Sequence, residues 1–232
     1  AYNFTSKPGF SKVGSYTGNG TSQSISTGFE VGFVLIKSTT SSQGWMMYDS
    51  TRGGNKYLEA NSAAAEGTTA SNLVNFYSNG FGVANSNSEN QSGQTFIYLA
   101  IAADGSTATP SLANSFATEI YTGNSGTQSI TTGFKPDFSW IKARNYAYNN
   151  SLVDSVRGRN STLISDLTNT ANPNSGVDKD LISFDTNGIT VGPVNQAYIN
   201  PNYNMVSWNW KAGGTPSINT DGTITSVVSA NE

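Results

Sequence analysis

An aspartate followed three residues later by an arginine occurs twice in this chain of 232 residues, in DSTRG at 49–53 and DSVRG at 154–158. A carboxylate beside a guanidinium can serve chemistry, because the cation keeps the carboxylate ionised and oriented. The same spacing suits a turn after a strand, in which the aspartate caps backbone amides and the glycine closes the turn. We favour the structural interpretation, since a turn that maintains a fold recurs in each copy of a repeated domain. The residues of this predicted structural turn are Asp49, Arg52, Asp154 and Arg157.

Tyrosines interleaved with asparagines mark the segments best suited to bind a ligand. Tyrosine offers rigid aromatic area that can stack on a sugar ring, and asparagine amides hydrogen-bond hydroxyl groups. Residues that differ between repeats are better candidates for specific binding than residues that recur. The alternative, that these aromatic residues cover the ends of a domain or an interface, stays open. The candidate ligand-binding residues are Tyr146, Tyr148, Tyr198, Tyr203, Trp45 and Tyr57.

The sequence YTGN at 16–19, which returns at 121–124, also allows two interpretations. Its tyrosine and asparagine could stack on a sugar and hydrogen-bond it, or the segment could end a strand in a tight hairpin. We favour the hairpin, because an asparagine–glycine pair such as Asn19-Gly20 is a strong hairpin signal.

Little in the chain suggests catalysis. It has no cysteine and no histidine, which removes disulfides, thiolate catalysis and the commonest ligands of transition metals. Asp178, Asp180 and Asp185 lie close together in sequence, but their spacing is specific neither for a glycosidase acid–base pair nor for a calcium loop. The sequence predicts a non-enzymatic protein with no catalytic residues, no cofactor and no assigned metal site. A glycan-cleaving enzyme is retained as an alternative.

The composition argues against two classes of partner. Only 12% of residues are charged, against roughly 25% in typical soluble domains. The net charge is −3 and no cluster of lysines and arginines exists, so we expect neither nucleic acid nor a membrane surface as partner. No apolar run approaches the roughly 20 residues that span a bilayer, and no signal peptide is visible.

Internal repetition is the strongest pattern in the chain. The motifs YTGN, TGF, IK and DSxRG all return 105 positions later. A period near 100 residues is the size of a whole small domain. We therefore predict tandem domains at 1–104 and 117–214, joined by a linker at 105–116. Residues 215–232 are predicted to be a final strand or the lead-in to a further module.

Hydrophobic residues alternate with a period of two, which is typical of β-strands. The run TFIYLAI at 95–101 predicts a central strand buried on both faces, while VSWNWK at 206–211 places its tryptophans on one face and its polar residues on the other. Asparagine–glycine pairs predict hairpins between strands. The predicted fold class is all-β, with two tandem antiparallel β-sandwich, jelly-roll-like domains related by internal duplication. The segment 60–66 alone has the character of a helical turn.

The order and spacing of these motifs resemble an uncharacterised repeated β-domain of structural proteins of tailed, often marine, bacteriophages. The resemblance covers nearly the whole chain. It rests on SYTGNG at 15–20, FVLIK at 33–37 and DSTRG at 49–53, and in the second copy on GFKPDFSWIK at 133–142 and WNWKAGG at 208–214.

This resemblance implies an extracellular, virion location in tail fibres, appendages or capsid decorations, and it carries over no catalytic residue. It predicts a structural and adhesion module whose partners are other virion subunits, in a homo-oligomer, and a host-surface glycan. The alternative is a purely structural, self-assembling spacer or decoration protein.

Overall fold

A computed structural model describes residues 4–84, 88–103, 115–159, 161–169, 171–173, 180–193, 199–211, 217–219 and 226–228. Within these ranges the chain is all-β, with antiparallel strand pairs and no helix, which confirms the predicted fold class. Residues 105–114 of the predicted linker lie outside the described ranges, as does most of the predicted C-terminal segment 215–232.

The first repeat contributes a six-stranded sheet in the order β1-β9-β3-β4-β5-β6 and a three-stranded sheet in the order β2-β8-β7. The apolar run at 95–101 lies in β9, which pairs with β1 on one side and β3 on the other, as predicted for a central strand. The predicted burial of both faces is wrong, because Ile97 on one face is exposed. The strands are β1 Ser11–Thr17, β2 Gln23–Ser26, β3 Val31–Ser38, β4 Met46–Asp49, β5 Lys56–Glu59, β6 Gly67–Thr68, β7 Val74–Tyr77, β8 Gly80–Val83 and β9 Thr95–Ala102.

The second repeat has the same strand order, in sheets β10-β18-β12-β13-β14-β15 and β11-β17-β16. A short antiparallel pair, β19 with β20, follows it. The identical topology confirms the predicted internal duplication. The strands are β10 Phe116–Thr122, β11 Gln128–Thr131, β12 Phe138–Ala143, β13 Ser151–Asp154, β14 Ser161–Ile164, β15 Asn172–Pro173, β16 Leu181–Asp185, β17 Gly188–Val191, β18 Asn204–Trp210, β19 Ser217–Asn219 and β20 Ser226–Val228.

The compact units of the chain do not coincide with the repeats. The first unit comprises the first repeat together with two later segments, residues 143–150 and 165–167. The second unit takes the remainder of the second repeat. Two of the tyrosines singled out from the sequence lie in the segment 143–150 and therefore belong to the first unit.

The core of the first repeat is the apolar layer between its two sheets, because strands of both sheets contribute to one buried cluster. Each large side chain in such a layer stabilises the fold by about 2 kcal/mol relative to its exposed state. Tyr16 extends the layer by stacking on Phe96, with ring centroids 5.1 Å apart. The strand residues of this cluster are Val31, Val34, Ile36, Met46, Tyr48, Val74, Phe81, Val83, Phe96, Tyr98, Ala100 and Ala102.

The hairpin predicted at Asn19-Gly20 is wrong. The flanking strands β1 and β2 belong to different sheets, so the YTGN segment carries the chain from one sheet to the other. A Cβ at Gly18 would lie 2.2 Å from the carbonyl oxygen of Gln91. Glycine is therefore needed in this motif because another backbone passes close to it. The other asparagine–glycine pairs do form hairpins, between β7 and β8 and between β16 and β17.

The helical turn predicted at 60–66 is also wrong, since this segment makes a turn and then runs without regular structure to β6. Its polar side chains accept one local backbone amide and one from the residue before β4, and both bonds compete with helix formation. The Ala64 amide donates to the Ser62 hydroxyl at 3.1 Å, and the Trp45 amide donates to the Asn61 side-chain oxygen at 2.8 Å.

The two repeats fill their interiors with different residues at matching positions. In the first repeat Gly14 and Tyr98 are register partners, and a Cβ at Gly14 would lie 2.6 Å from the Tyr98 hydroxyl oxygen. In the second repeat the corresponding partners are Glu119 and Ser207. The glycine and the large tyrosine are thus replaced together, since a side chain at position 14 would clash with Tyr98.

Buried polar groups differ between the repeats in the same paired manner. In the second repeat Ser139 donates to Asn209 at 2.8 Å, and Asn209 donates to the Ser207 hydroxyl at 2.9 Å, all without exposure to solvent. In the first repeat the Tyr48 hydroxyl donates instead to the buried Glu89 carboxylate at 2.8 Å. The polar face predicted for β18 is therefore buried like its tryptophan face, because its side chains satisfy one another.

Replacing Gly123, the counterpart of Gly18, by alanine tests the close approach in the connection between β10 and β11. A Cβ there would lie 1.7 Å from the carbonyl oxygen of Pro201, so we expect Gly123→Ala to lose about 2 kcal/mol of unfolding free energy. Gly126→Ala in the same connection is the matched control, since its nearest atom would be 3.5 Å away. Urea unfolding should separate the two variants, and equal midpoints would contradict the steric explanation.

Candidate functional site

The DSTRG segment forms a closed turn at the end of β4. The Asp49 carboxylate accepts hydrogen bonds from the Arg52 amide at 2.8 Å and from the Arg52 Nε at 2.5 Å. The Gly53 amide donates to the Asp49 carbonyl oxygen at 3.1 Å, and Gly53 has a φ of +94°. The glycine supplies the left-handed conformation that the turn requires.

The DSVRG segment repeats this turn at the end of β13. The Asp154 carboxylate accepts the Arg157 amide at 2.7 Å and the Arg157 Nε at 2.6 Å. The Gly158 amide closes the turn onto the Asp154 carbonyl oxygen at 3.1 Å. In both repeats the carboxylate is held by the chain's own arginine, which is the arrangement of a structural turn.

In the first unit the turn continues into an ion network. Arg52 Nη1 donates to the Glu66 carboxylate at 3.0 Å. Arg144 donates to both oxygens of the same carboxylate, from Nε at 2.8 Å and from Nη2 at 2.9 Å. The Glu66 amide also donates to the Arg144 carbonyl oxygen at 2.6 Å. Glu66 therefore connects the turn with the segment 143–150 through both side chain and backbone.

The network is largely withdrawn from solvent, with side-chain exposures of 0% for Arg52, 9% for Glu66 and 14% for Arg144. Burial alone would raise the pKa of the Glu66 carboxyl. Hydrogen bonds from Arg144 and the charge of Arg52 outweigh burial and lower this pKa from its ordinary value of 4.5. The hydrogen bonds to Glu66 likewise raise the pKa of Arg144. The network therefore stays charged at neutral pH.

Asn150 anchors the other end of the segment 143–150. Its side-chain amide donates to the carbonyl oxygens of Glu59 and Ser62, both at 3.0 Å, and its backbone amide donates to Asp166 at 2.8 Å. The Ser165 hydroxyl donates to the carbonyl oxygen of Ala60. Bonds to one stretch, 59–66, thus hold the segment at both ends.

Tyr146 and Tyr148 lie between these two anchors. Their ring centroids are 4.7 Å apart with the planes tilted by 44°, and the Tyr148 amide donates to the Tyr146 carbonyl oxygen at 3.0 Å. Tyr146 is 46% exposed and Tyr148 is partly buried. Trp45, 39% exposed, is attached to the same stretch, because its amide binds Asn61 and its carbonyl accepts the Ala60 amide at 2.9 Å. We call Trp45, Tyr146 and Tyr148, whose segments all bond to the stretch 59–66, the aromatic surface.

The remaining candidate tyrosines have other surroundings. Tyr57 packs against the core of the first repeat and covers Gly67, whose Cβ would lie 2.1 Å from the tyrosine ring. Tyr203 lies in the second unit, where its carbonyl oxygen accepts the Gly123 amide at 2.9 Å. Tyr198 lies outside the described residues.

The described acidic residues of the second repeat bond to neighbouring groups. Asp185 accepts the hydroxyls of Ser183 and Thr190, both at 2.6 Å. The Asp180 amide donates to the Pro193 carbonyl oxygen at 2.9 Å, and Asp178 lies outside the described ranges. Across the described residues no three histidine, cysteine or acidic side chains gather as metal ligands would. Where the structure describes the chain, no helix has the length and apolarity to cross a membrane.

No pattern in the sequence singles out Glu66, Arg144 and Asn150, whose bonds hold the segment that carries Tyr146 and Tyr148. None of them belongs to a repeated motif, and Glu66 and Arg144 are 78 residues apart. The signal that could have identified two of them is their charge. Only 12% of the residues are charged, so each charged residue can be examined for a structural or functional role.

Comparison with known proteins identifies one family. The family described as "Domain of unknown function (DUF7483)" matches residues 1–104 and 111–232. No curated protein and no solved structure matches the chain significantly.

Glu66→Gln tests the ion network. The amide cannot replace a carboxylate that balances two buried guanidinium groups, so we expect a loss of about 2–4 kcal/mol of unfolding free energy. Glu30→Gln is the control, because Glu30 is exposed and its replacement should change stability by less than about 0.5 kcal/mol. Chemical unfolding of both variants measures the difference. A Glu66→Gln protein as stable as Glu30→Gln would show that the network contributes nothing.

Acid should weaken the protein partly through Glu66. Since its pKa is lower in the folded chain than its ordinary 4.5, the contribution is complete above that pH and is lost as the pH falls through the folded value. We expect the unfolding free energy of the wild type to fall more steeply below pH 4.5 than that of Glu66→Gln. Unfolding curves between pH 7 and pH 3 check this, and parallel pH profiles would refute it.

Proposed function

The chain belongs to the DUF7483 family and carries two copies of its domain, and on this premise we propose that it is a non-enzymatic structural and adhesion module that binds glycan through the aromatic surface. The observation that carries the proposal is the exposure of Tyr146 on a segment anchored at both ends. A ring that stays about half exposed on an anchored segment can contact a ligand that approaches from solvent.

Sugar binding by this surface would rest on stacking and preorganisation. A pyranose ring presents C–H groups on one face, which pack against the face of a tyrosine or tryptophan ring. The bonds of Arg144 and Asn150 already fix the backbone on either side of Tyr146. Binding then costs little ordering entropy, which favours affinity from a small contact area.

A non-enzymatic role is supported by the way the chain uses its carboxylates. Asp49 and Asp154 accept hydrogen bonds from arginines in closed turns. A glycosidase needs two carboxyl groups facing the scissile bond, about 5–10 Å apart. In Asp49 and Asp154 both carboxylate oxygens already accept hydrogen bonds within the turn.

The biological setting is proposed from the resemblance to structural domains of tailed bacteriophages. In that setting the protein is an extracellular virion component, in a tail fibre, an appendage or a capsid decoration. Its partners are other virion subunits, in a homo-oligomer, and a glycan on the host surface.

A purely structural spacer is the second candidate, and one observation favours it. Val13 on β1 and Ile97 on β9 are both exposed, and the register places them on the same face of the six-stranded sheet. Apolar side chains that share a face in this way suit a contact between subunits. A spacer would use this face and leave the aromatic surface without a ligand.

Substitution of Tyr146 distinguishes these candidates. If the aromatic surface binds glycan, Tyr146→Ala should lose about tenfold in affinity for a glycan that the wild type binds, while Tyr146→Phe keeps most of it because the ring remains. Tyr77→Ala is the matched control, since Tyr77 is 45% exposed in the same unit. Glycan-array binding followed by titration measures the effect. Unchanged binding of Tyr146→Ala, with a folded protein, would remove this surface from consideration.

A further inference from the structure

We infer that the aromatic surface takes an uncharged glycan, one without carboxylate, sulfate or phosphate groups. This inference rests on the proposed function and adds the chemical class of the ligand. It follows from what the cationic groups around the surface are bonded to.

Recognition of an acidic sugar needs a guanidinium, an ammonium or a set of free amides directed at the anion. The guanidinium groups next to the surface are bonded to the chain's own acids. Arg144 places Nε and Nη2 on Glu66, and Arg52 places Nε on Asp49 and Nη1 on Glu66. These charge-assisted bonds would have to break before either arginine could bind a ligand anion.

Lys37 in the same unit is also engaged. Lys37, at the end of β3, donates from Nζ to the carbonyl oxygens of Ser38 at 2.6 Å and Ser41 at 3.1 Å. Its ammonium group is thus directed at backbone oxygens.

The segments that carry the surface contain more acids than bases. The turn 49–53 and the segments 59–66, 143–150 and 165–167 together contain four acids and two arginines. The additional acids are Glu59 and Asp166, and Asp166 accepts the Asn150 amide. This excess of acids in the anchoring segments does not favour an anionic sugar.

A neutral sugar finds the groups that it needs. Tyr146 is about half exposed, and the exposed Asn61 and Asn145, which adjoin Ala60 and Tyr146 in the chain, carry uncharged amide groups. Such groups donate to and accept from hydroxyls without any net charge. Binding should therefore depend on contact and hydrogen bonding, and should change little with salt.

The test applies the complete chain to an array of neutral glycans and their sialylated, sulfated and uronic-acid counterparts, at 50 mM and 500 mM NaCl. We expect binding to neutral glycans only, changing less than about twofold between the two salt concentrations. In Tyr146→Ala this binding should fall about tenfold, and in Tyr77→Ala it should persist.

Two other outcomes have distinct meanings. Preferential binding of acidic glycans that falls with salt and depends on Tyr146 would overturn the neutral class and leave the proposed function standing. Absence of binding to any glycan at either salt concentration would overturn the proposed function, and the inference with it.

Discussion

A buried guanidinium is tolerated only where acceptors surround it, and Arg52 places this constraint on the first unit. Its side chain is shielded from solvent and needs both Asp49 and Glu66. Glu66 ends the irregular stretch before β6, and its carboxylate also has a place for a second arginine. Arg144 donates to this carboxylate, and the bond holds the segment 143–150 against the stretch 59–66. The position of the aromatic surface thus follows from the need to neutralise one buried cation.

Local features of the sequence were sufficient to predict the strands but not their connections. The apolar run in β9 and the Asn79-Gly80 hairpin are decided by neighbours along the chain, so pattern and turn chemistry identify them. Asn19-Gly20 has the same turn chemistry, yet nothing local says that the next strand joins a different sheet. The stretch 60–66 has a helix-favouring composition, and its conformation is decided instead by partners such as Arg144, far along the chain.

The candidate site was predictable only in its residue types. Tyrosine and asparagine chemistry singled out Tyr146 and Tyr148, because exposed aromatics among amides are suited to binding. The same reasoning gave equal weight to Tyr57, which packs against the core. Tyr146 and Tyr57 differ in their surroundings, since Tyr146 is half exposed and Tyr57 packs against the core. These surroundings depend on contacts between distant residues, which the spacing of residues in the sequence does not reveal. Trp45 joins the tyrosines through hydrogen bonds to the turn at Ala60 and Asn61, a connection with no signature of its own.

The paired differences between interior residues of the two repeats also disfavour wrong strand pairing during folding. Tandem copies of one domain run the risk that a strand of one copy enters the sheet of the other. Here a strand that entered the wrong repeat would meet neighbours of unsuitable size or polarity. Tyr98 would be set beside Glu119 instead of Gly14, with no room for its ring. Asn209 beside Val34 would lose the hydroxyl of Ser139 that now satisfies it. At these two positions the β9 and β18 side chains therefore match the neighbours that they have in their own repeats.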